Sequence, residues 1–306
     1  MMDNTLKILL YHGVTQYKSE GIENYSAKHI SADVFYEQMV FVKKNCSVLS
    51  IDEVADHYIK KKSLPKNAVS VSFDDGFKNN FTTAAPILKD LNIPAVFYLS
   101  TGFIGTEKMF WVDQLEDCIN RCKKNTIQIK IDKTYNKYTL KNKLEKISAL
   151  KSIKDYCKLV TNEEKEIILK QVIKETNIKP NIFFSHNYLK LAWEEVKKMA
   201  KNPLFTIGGH SVSHNILAAL PKNDMEQEIK ESINQLTEKT GNKIVHFSYP
   251  EGQLHHYNSQ VIEMLKKNGV ICCPSSVDGV NTLDDDLFHL KRIMVGFNGR
   301  SFPRFN

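Results

Sequence analysis

A short apolar run that ends in two adjacent carboxylates constrains this chain more than any other feature. Val69–Phe73 alternates apolar and small polar residues with a period of two, which predicts a buried β-strand. Asp74 and Asp75 follow at its carboxyl end, and Gly76 permits a sharp exit. Because successive side chains on a strand point to opposite faces, only a turn beyond the strand can bring both carboxylates together. The run therefore predicts a strand that delivers an acid pair into a cleft.

A second apolar run, Leu204–Gly209, ends in a similar way and is followed by His210-Ser-Val-Ser-His214. In parallel α/β folds, ligands gather at the carboxyl ends of strands, so we expect the two histidines near the acid pair. Their i, i+4 spacing would place both imidazoles on one helix face, within reach of one metal ion. The same spacing also occurs on polar surfaces, and the strand end before it favours the ligand interpretation.

The residue types in these two segments suit a metal-dependent hydrolase. Carboxylate oxygens and neutral imidazole nitrogens bind divalent metals, and catalytic zinc commonly has three protein ligands with one open position. One Asp with His210 and His214 would supply this set, and the other Asp would act as base toward the attacking water. The residues alone do not decide which Asp has which role. A glycoside hydrolase fits poorly, because its two carboxyl groups lie roughly 5–9 Å apart across the scissile bond.

Three motifs occur in a fixed order, namely Phe73–Gly76, His210–His214 and the segment Phe247-Ser-Tyr-Pro-Glu-Gly252. Together they resemble the polysaccharide deacetylase family, the NodB-homology or carbohydrate esterase family 4 enzymes. The flanking Ile93–Thr101 and Leu191–Val196 also resemble that family, and the likeness runs through most of residues 5–105 and 186–300. This resemblance implies hydrolysis of an N- or O-acetyl group on a sugar.

The resemblance also implies a role for each residue of the predicted site. Asp74 would be the general base, and Asp75, His210 and His214 would bind one divalent metal ion, with Zn²⁺ the expected cation. The backbone N–H of Tyr249, in the third motif, would stabilise the oxyanion of the tetrahedral intermediate. The resemblance thereby separates the two carboxylates that the residues alone leave interchangeable.

One position of the third motif departs from the family pattern. Many members have an arginine there that orients the base, whereas this chain has Ser248. Arg292, in the strand-like Leu290–Val295, could reach Asp74 through a charge-assisted hydrogen bond and keep the carboxylate ionised. The alternative is an ordinary surface arginine at a strand end.

A second departure is the absence of the C-terminal Leu-x-His segment that supplies the general acid in well-known members. No histidine follows His289. Instead, the apolar Ile8–Tyr11 ends in His12, which resembles the Tyr-His opening of a circularly permuted branch of the family. His12 is the predicted acid, since imidazole titrates near the working pH and can protonate a leaving amine. The alternative is a strand-end histidine held by hydrogen bonds.

Strand-like runs alternate with stretches of helical periodicity, which favours a parallel α/β barrel. About seven strand–helix steps and the family resemblance imply a distorted (β/α)7 barrel. Helical periodicity predicts five helices of this barrel, over Ala32–Lys44, Ile51–Lys61, Asn80–Leu91, Lys222–Thr240 and Ser259–Asn268.

The chain has 306 residues, whereas single α/β barrels have roughly 200–250. We therefore expect one catalytic domain, 1–306, that contains an insertion. Residues 106–190 are rich in Lys and Glu, and apolar residues recur at helical spacing around Leu150 and Ile168. This pattern predicts a mainly helical cap subdomain packed over the sugar site.

Charge and cysteine usage narrow the class of protein. The net charge of +7 comes almost wholly from lysine, and the arginine clusters with interleaved aromatics typical of nucleic-acid binding are absent. A lysine surface could favour anionic substrates or loose association with an acidic membrane.

The six cysteines show no C-x2-C pair, and neither a signal peptide nor a membrane-spanning run of roughly 20 apolar residues is evident. These features predict a reduced, cytoplasmic enzyme.

A cytoplasmic location favours a biosynthetic intermediate over a finished polymer as substrate. The sequence therefore predicts N-deacetylation of an acylated amino sugar, carried on a nucleotide- or lipid-linked precursor of a surface polysaccharide. N-deformylation and O-deacetylation on the same scaffold are alternatives. Another is a carbohydrate-binding protein impaired in catalysis, which Ser248 supports and the retained Asp and His residues oppose. The oligomeric state is left open.

Overall fold

The computed structural model describes residues 4–305 as two compact units. The first unit contains residues 4–16, 26–106 and 190–305, and the second contains residues 17–25 and 107–189. Every residue predicted to form the site lies in the first unit. The second unit overlaps the predicted insertion and also includes the short segment 17–25.

The strands within residues 4–305 are β1 (Leu6–Tyr11), β2 (Gly13–Thr15), β3 (His29–Ser31), β4 (Ser47–Val48), β5 (Ala68–Phe73), β6 (Ala95–Leu99), β7 (Thr126–Ile131), β8 (Thr134–Thr139), β9 (Phe205–Gly209) and β10 (Ile293–Met294). A parallel sheet in the order β10-β1-β5-β6-β9 forms the frame of the first unit, and β4 also pairs with β5. The α/β class with a parallel sheet is therefore confirmed.

The register of this sheet aligns the strand ends that carry the motifs. Tyr11 at the end of β1 pairs with Phe73 at the end of β5, and Leu99 at the end of β6 pairs with Gly209 at the end of β9. The next residue after β1, β5 and β9 is His12, Asp74 and His210, in that order. One edge of the sheet therefore carries all three.

Single bridges continue the sheet beyond β9. Gly209 pairs in parallel with Phe247, and His246 pairs in parallel with Cys272. The segment Phe247–Gly252 is thereby placed beside the end of β9, where the third motif can approach the histidines.

Isolated hydrogen bonds then link the following segment to the strand at the other edge. The Ser275 N–H donates to the Leu290 carbonyl oxygen at 2.8 Å, and the Arg292 N–H donates to the Val277 carbonyl oxygen at 2.9 Å. Regular ladders do not run through these segments. Among residues 4–305, regular strand pairing therefore does not close the sheet into the predicted barrel. Arg292 lies beside β1, just before β10.

Nine α-helices lie within the described residues: α1 (Ala32–Asn45), α2 (Ile51–Ile59), α3 (Ala85–Asp90), α4 (Trp111–Arg121), α5 (Lys143–Cys157), α6 (Asn162–Thr176), α7 (Trp193–Ala200), α8 (Lys222–Thr240) and α9 (Ser259–Lys267). Short 3-10 turns occur at Ile182–Phe184, Leu217–Ala219 and Phe297–Gly299. Four of the five helices predicted in the barrel begin at the expected residue and end within two residues of the expected end.

The helix predicted over Asn80–Leu91 begins differently, with a π-helical turn over Asn80–Ala84 before α3. Such wider turns are rare and are frequently found at functional sites. Here the turn lies beside the end of β1, because the buried Asn80 side chain donates from Nδ2 to the His12 carbonyl oxygen at 2.8 Å.

The alternation of β5 determines which face leads to the site. Val69, Val71 and Phe73 are fully buried in the core that packs against the barrel helices. Ser70 and Ser72 point to the opposite face of the strand, and Asp74 continues that face beyond the strand end. Ser70 and Ser72 thus identify the face of β5 from which Asp74 projects.

The second unit has its own core. Helices α4, α5 and α6 pack together with the antiparallel hairpin β7–β8, and Leu150, Ile168 and Val172 are buried among them. The hairpin is not anticipated by the helical periodicity of the insertion. No helix within residues 4–305 has the length and apolar character needed to cross a membrane.

Candidate active site

The two adjacent carboxylates converge because the chain turns sharply between them. Continued extended backbone would point Asp75 away from Asp74. Instead, Asp75 adopts φ +78° and Gly76 φ +82°, in the left-handed region that non-glycine residues seldom occupy. A Cβ atom on Gly76 would also lie 2.9 Å from Ile104 Cδ1. The strained turn at Asp75 and Gly76 therefore directs the Asp75 side chain into the site.

The expectation that His210 and His214 share a helix face is wrong, because residues 210–214 form a loop. Ser211 and His214 have φ values of +62° and +59°, which are incompatible with a right-handed helix. The Ser211 hydroxyl accepts a hydrogen bond from the His214 N–H at 2.9 Å and closes a tight turn. The turn brings the two imidazole centroids to 4.9 Å, so it achieves the predicted convergence by another route.

The ligand atoms of Asp75, His210 and His214 lie within 4.8 Å of one another. Asp75 Oδ1 is 3.2 Å from His214 Nε2 and 3.7 Å from His210 Nε2. Tetrahedral zinc bonded at about 2.0–2.1 Å separates its ligand atoms by about 3.4 Å, so this spacing suits one ion. His210 Nδ1 donates to the Ser248 carbonyl oxygen at 2.8 Å, which leaves Nε2 to face the other two ligand atoms. The three residues therefore fit a divalent cation.

Burial and mutual charge determine the protonation of these three residues. Burial lowers the pKa of His210 to about 4, so its imidazole is neutral at pH 7. Burial raises the pKa of Asp75, but the hydrogen bond and charge of His214 outweigh it and hold the pKa well below its ordinary value. Burial lowers the pKa of His214, and contact with Asp75 reverses this and raises it. A bound cation would replace the proton on His214, and its charge would keep Asp75 ionised.

Arg292 contacts the carboxylate that the sequence predicts it to orient. The fully buried guanidinium donates from Nη1 and Nη2 to Asp74 Oδ1 and Oδ2 at 2.8 and 2.7 Å, and from Nε to the Ser275 carbonyl oxygen at 2.7 Å. Burial raises the pKa of Asp74, but the charge of Arg292 and its hydrogen bonds to the carboxylate oppose this, and the pKa is lowered. The alternative of a surface arginine is wrong.

Ser248 occupies the third-motif position at which many members of the family that the chain resembles have an arginine. Its hydroxyl donates to Asp74 Oδ1 at 3.3 Å and lies 2.7 Å from His210 Nδ1. A serine therefore links the carboxylate to a histidine at this position, while the guanidinium of Arg292 comes from the segment just before β10.

His12 lies half-buried at the end of β1, with its ring centroid 5.5 Å from that of Phe297. Burial lowers the pKa of His12, and the charges of Asp75 and Asp74 partly oppose this. Both carboxylates thus act on the imidazole predicted to be the general acid.

Tyr249 is buried, and its hydroxyl donates to the Phe288 carbonyl oxygen at 3.0 Å. Its ring stacks on Tyr257 with centroids 3.9 Å apart. The side chain is thus committed to packing. The backbone N–H, the group predicted to act on the oxyanion, has no acceptor within residues 4–305.

Sequence reasoning missed Glu228, which lies on α8. Its carboxylate accepts hydrogen bonds from the N–H groups of Val212 and Ser213 at 2.8 and 2.9 Å, and also from the Ser213 hydroxyl. These residues lie between His210 and His214, so Glu228 stabilises the loop that carries both imidazoles. Its only sequence signal is a glutamate on the helix after the histidine motif, and such glutamates are usually solvated.

Replacing Glu228 with glutamine is expected to weaken zinc binding by about 10-fold, in the range found for groups that orient metal ligands. A neutral amide oxygen accepts more weakly than a carboxylate, so the loop loses part of its support. Competition with a chelating dye measures the affinity. Glu231→Gln, exposed on the same helix, is the matched control. Equal zinc affinities of the two variants would contradict the role of Glu228.

Residues 61–168 and 168–272 match the family model described as polysaccharide deacetylase. The poly-β-1,6-N-acetyl-D-glucosamine N-deacetylase of Staphylococcus aureus is 34% identical over 98 residues. That stretch is 32% of this chain and 32% of that protein, so the similarity spans about a third of the curated relatives it matches.

Two solved structures share the fold over nearly the whole chain. The Streptococcus pyogenes deacetylase PplD, in complex with acetate, is 17% identical with a TM-score of 0.62, over 97% of this chain and 94% of that one. IcaB from Ammonifex degensii is 18% identical with a TM-score of 0.61, over 96% and 93%.

These structural likenesses confirm the predicted fold. The circularly permuted order that Tyr11 and His12 imply stays a prediction. The family model, in contrast, covers well over half of the sequence and includes Asp74, Asp75, His210 and His214. The chain belongs to the polysaccharide deacetylase family.

Proposed function

We propose that this chain is a metal-dependent hydrolase that removes the N-acetyl group of an amino sugar. The observation that carries the proposal is the asymmetry of the acid pair. Asp74 is held by the guanidinium of Arg292, whereas Asp75 faces His210 and His214 at metal-ligand spacing. This asymmetry supports the proposal that Asp74 is the base and Asp75 a metal ligand.

In this proposal Asp74 accepts the proton of the water that attacks the acetamide carbon. The Arg292 contact lowers its pKa, so the carboxylate is ionised at neutral pH and aimed by two hydrogen bonds. Asp75, His210 and His214 would hold the cation, which when bound polarises the acetyl carbonyl and lowers the pKa of water. Zn²⁺ is the proposed ion, because one carboxylate and two imidazoles form a familiar zinc ligand set.

Two further groups would complete the reaction. The Tyr249 backbone N–H would donate to the oxyanion that forms at the attacked carbon. His12 would donate its proton to the leaving amine as the C–N bond breaks. Because burial lowers the pKa of His12, its imidazolium is a stronger acid than an exposed one.

N-acetylglucosamine is the proposed sugar, since the curated relatives are named for a β-1,6-linked polymer of it. A polymer of this kind and a nucleotide- or lipid-linked precursor are both amino-sugar substrates with the same acetamide group. The precursor and the cytoplasmic location stay predictions from the sequence.

Mass analysis of the released acid tests the proposed function. Zinc-loaded protein is expected to release acetate from a β-1,6-linked N-acetylglucosamine oligomer or from a carrier-linked N-acetylglucosamine. Chelation should abolish the release, and added zinc should restore it. A folded protein that binds zinc but releases no acid from any of these substrates would contradict the proposal and favour the carbohydrate-binding alternative.

A further inference from the structure

A cavity of about 380 Å³ opens on the surface of the second unit. It is lined by Glu107, by Arg121 at the end of α4, and by residues 179–183, all of which belong to this unit. Ligand sites in proteins have volumes of roughly 300–1,000 Å³, so the cavity has room for a small ligand. Its lining residues are distinct from the predicted catalytic and metal-binding residues.

The carboxylate of Asp117 fixes two walls of this cavity. It accepts hydrogen bonds from Arg121 Nε and Nη2 at 2.6 and 2.5 Å and from the Asn181 N–H at 2.9 Å. Arg121 Nη2 also donates to the Lys179 carbonyl oxygen at 2.7 Å. Asp117 is fully buried, so its bonds act in surroundings of low dielectric constant. The guanidinium and the segment 179–181 are therefore held in one arrangement.

Phe183 gives the cavity an apolar surface. It is 67% exposed, whereas the preceding Ile182 is buried and the ring of the following Phe184 has its centroid 4.9 Å from Arg121 Cζ. The Phe183 N–H donates to Asn181 Oδ1 at 2.9 Å, within the 3-10 turn Ile182–Phe184. The turn thus holds an exposed aromatic ring at the wall of the cavity.

The charged groups around the cavity balance in number. Arg121 is neutralised by Asp117, and the exposed Lys179 ammonium is matched by the exposed Glu107 carboxylate. The wall as a whole therefore does not favour an anion. Within residues 4–305, Arg121 Nη1 and Asn181 Nδ2 have no acceptor, and the Glu107 carboxylate has no donor. A neutral ligand with several hydroxyl groups suits this combination of donors, an acceptor and an aromatic face.

We propose that the cavity is a saccharide-binding site that holds one sugar ring of a polymeric substrate, apart from the residues that carry out hydrolysis. A pyranose has an apolar C–H face, which would pack on the Phe183 ring. It also has a rim of hydroxyl groups, which would accept from Arg121 and Asn181 and donate to Glu107.

This inference rests on the proposed deacetylation and specifies its substrate class, an oligomer or polymer of an amino sugar. Binding at a second site keeps a long substrate on the same molecule as the active site, so its next encounter with that site is intramolecular. The KM for a long substrate is thereby lowered, whereas a single sugar gains nothing.

Removal of the Phe183 ring tests the site. A β-1,6-linked N-acetylglucosamine hexamer is titrated into the full chain, kept free of metal so that the hexamer is not hydrolysed, and calorimetry measures the affinity. Phe183→Ala is expected to weaken binding by roughly 10-fold, because the apolar face of the sugar loses its contact. Phe183→Tyr should retain the affinity, since it keeps the aromatic face. Tyr135→Ala, which removes a ring that is also 67% exposed in the same unit, is the matched control and should bind normally.

Steady-state kinetics of the zinc-loaded protein give a second readout. In Phe183→Ala the KM for the hexamer should rise while kcat stays unchanged. Both constants for the methyl glycoside of N-acetylglucosamine should stay unchanged, because a single ring cannot occupy both sites at once. A merely structural role of Phe183 would alter the two substrates alike.

The outcomes separate the saccharide site from the proposed function. Equal hexamer affinities of Phe183→Ala and Tyr135→Ala would overturn the site and leave the deacetylation intact. Failure of the wild-type protein to bind the hexamer would also overturn the site. Hexamer binding that depends on Phe183, without any release of acetate, would support the site and contradict the deacetylation.

Discussion

Replacing Asp74 with asparagine is expected to lower kcat for deacetylation by about 10²–10⁴-fold, the usual contribution of a general base. The amide keeps the shape of the carboxylate but cannot accept a proton from the attacking water. Acetate release under saturating substrate measures the loss. Asp90→Asn, an exposed carboxylate at the end of α3, is the control and should keep normal kcat.

The same substitution also removes the ionised partner of a buried guanidinium. Loss of one member of a buried pair typically costs about 3–5 kcal/mol, because the remaining charge has no counterion. Urea denaturation should therefore show a lower free energy of unfolding for Asp74→Asn than for Asp90→Asn. Normal kcat in a folded Asp74→Asn protein would contradict the role of this residue as base.

Replacing Arg292 is expected to move the acid limb of the pH profile. Asp74 works only when ionised, so kcat/KM falls as pH decreases through its pKa. In the native protein Arg292 helps to hold that pKa below its ordinary value. Without the guanidinium, burial raises the pKa, and activity is lost at a higher pH. Arg292→Met should show the larger shift, and Arg292→Lys a smaller one, because lysine keeps the charge but loses the paired hydrogen bonds.

A matched control separates this electrostatic effect from a loss of stability. Arg121 makes a similar two-pronged contact with the fully buried Asp117, but in the second unit. Arg121→Lys should lower the free energy of unfolding without moving the acid limb. An acid limb that stays in place in both Arg292 variants would show that Arg292 does not tune the base.

The strand ends that carry the site could be predicted because they have a simple physical signature. The alternation in Val69–Phe73 and the apolar run before His210 describe strands buried in a sheet, and parallel strands end at one edge. The contact between Arg292 and Asp74 spans 218 residues. The sequence predicts this contact indirectly. Ser248 stands where many members of the family have the arginine that orients the base, so another arginine is needed for that role.

The local shape of the histidine loop could not be predicted in the same way. Helical spacing and a tight turn both bring His210 and His214 together, and the sequence does not distinguish them. His214 has a positive φ in a loop whose Val212 and Ser213 N–H groups donate to Glu228 on α8. Local sequence patterns carry no signal for such long-range support.

Zinc content of the Asp74→Asn and Asp75→Asn variants tests the central claim most directly, because the claim divides adjacent carboxylates into a base and a ligand. Each protein is loaded with zinc, desalted and analysed by elemental mass spectrometry, and acetate release is measured on the same samples. The account predicts one zinc per chain in wild-type protein and in Asp74→Asn, and little zinc in Asp75→Asn, with acetate release lost in both variants. Zinc lost from Asp74→Asn but retained by Asp75→Asn would contradict it.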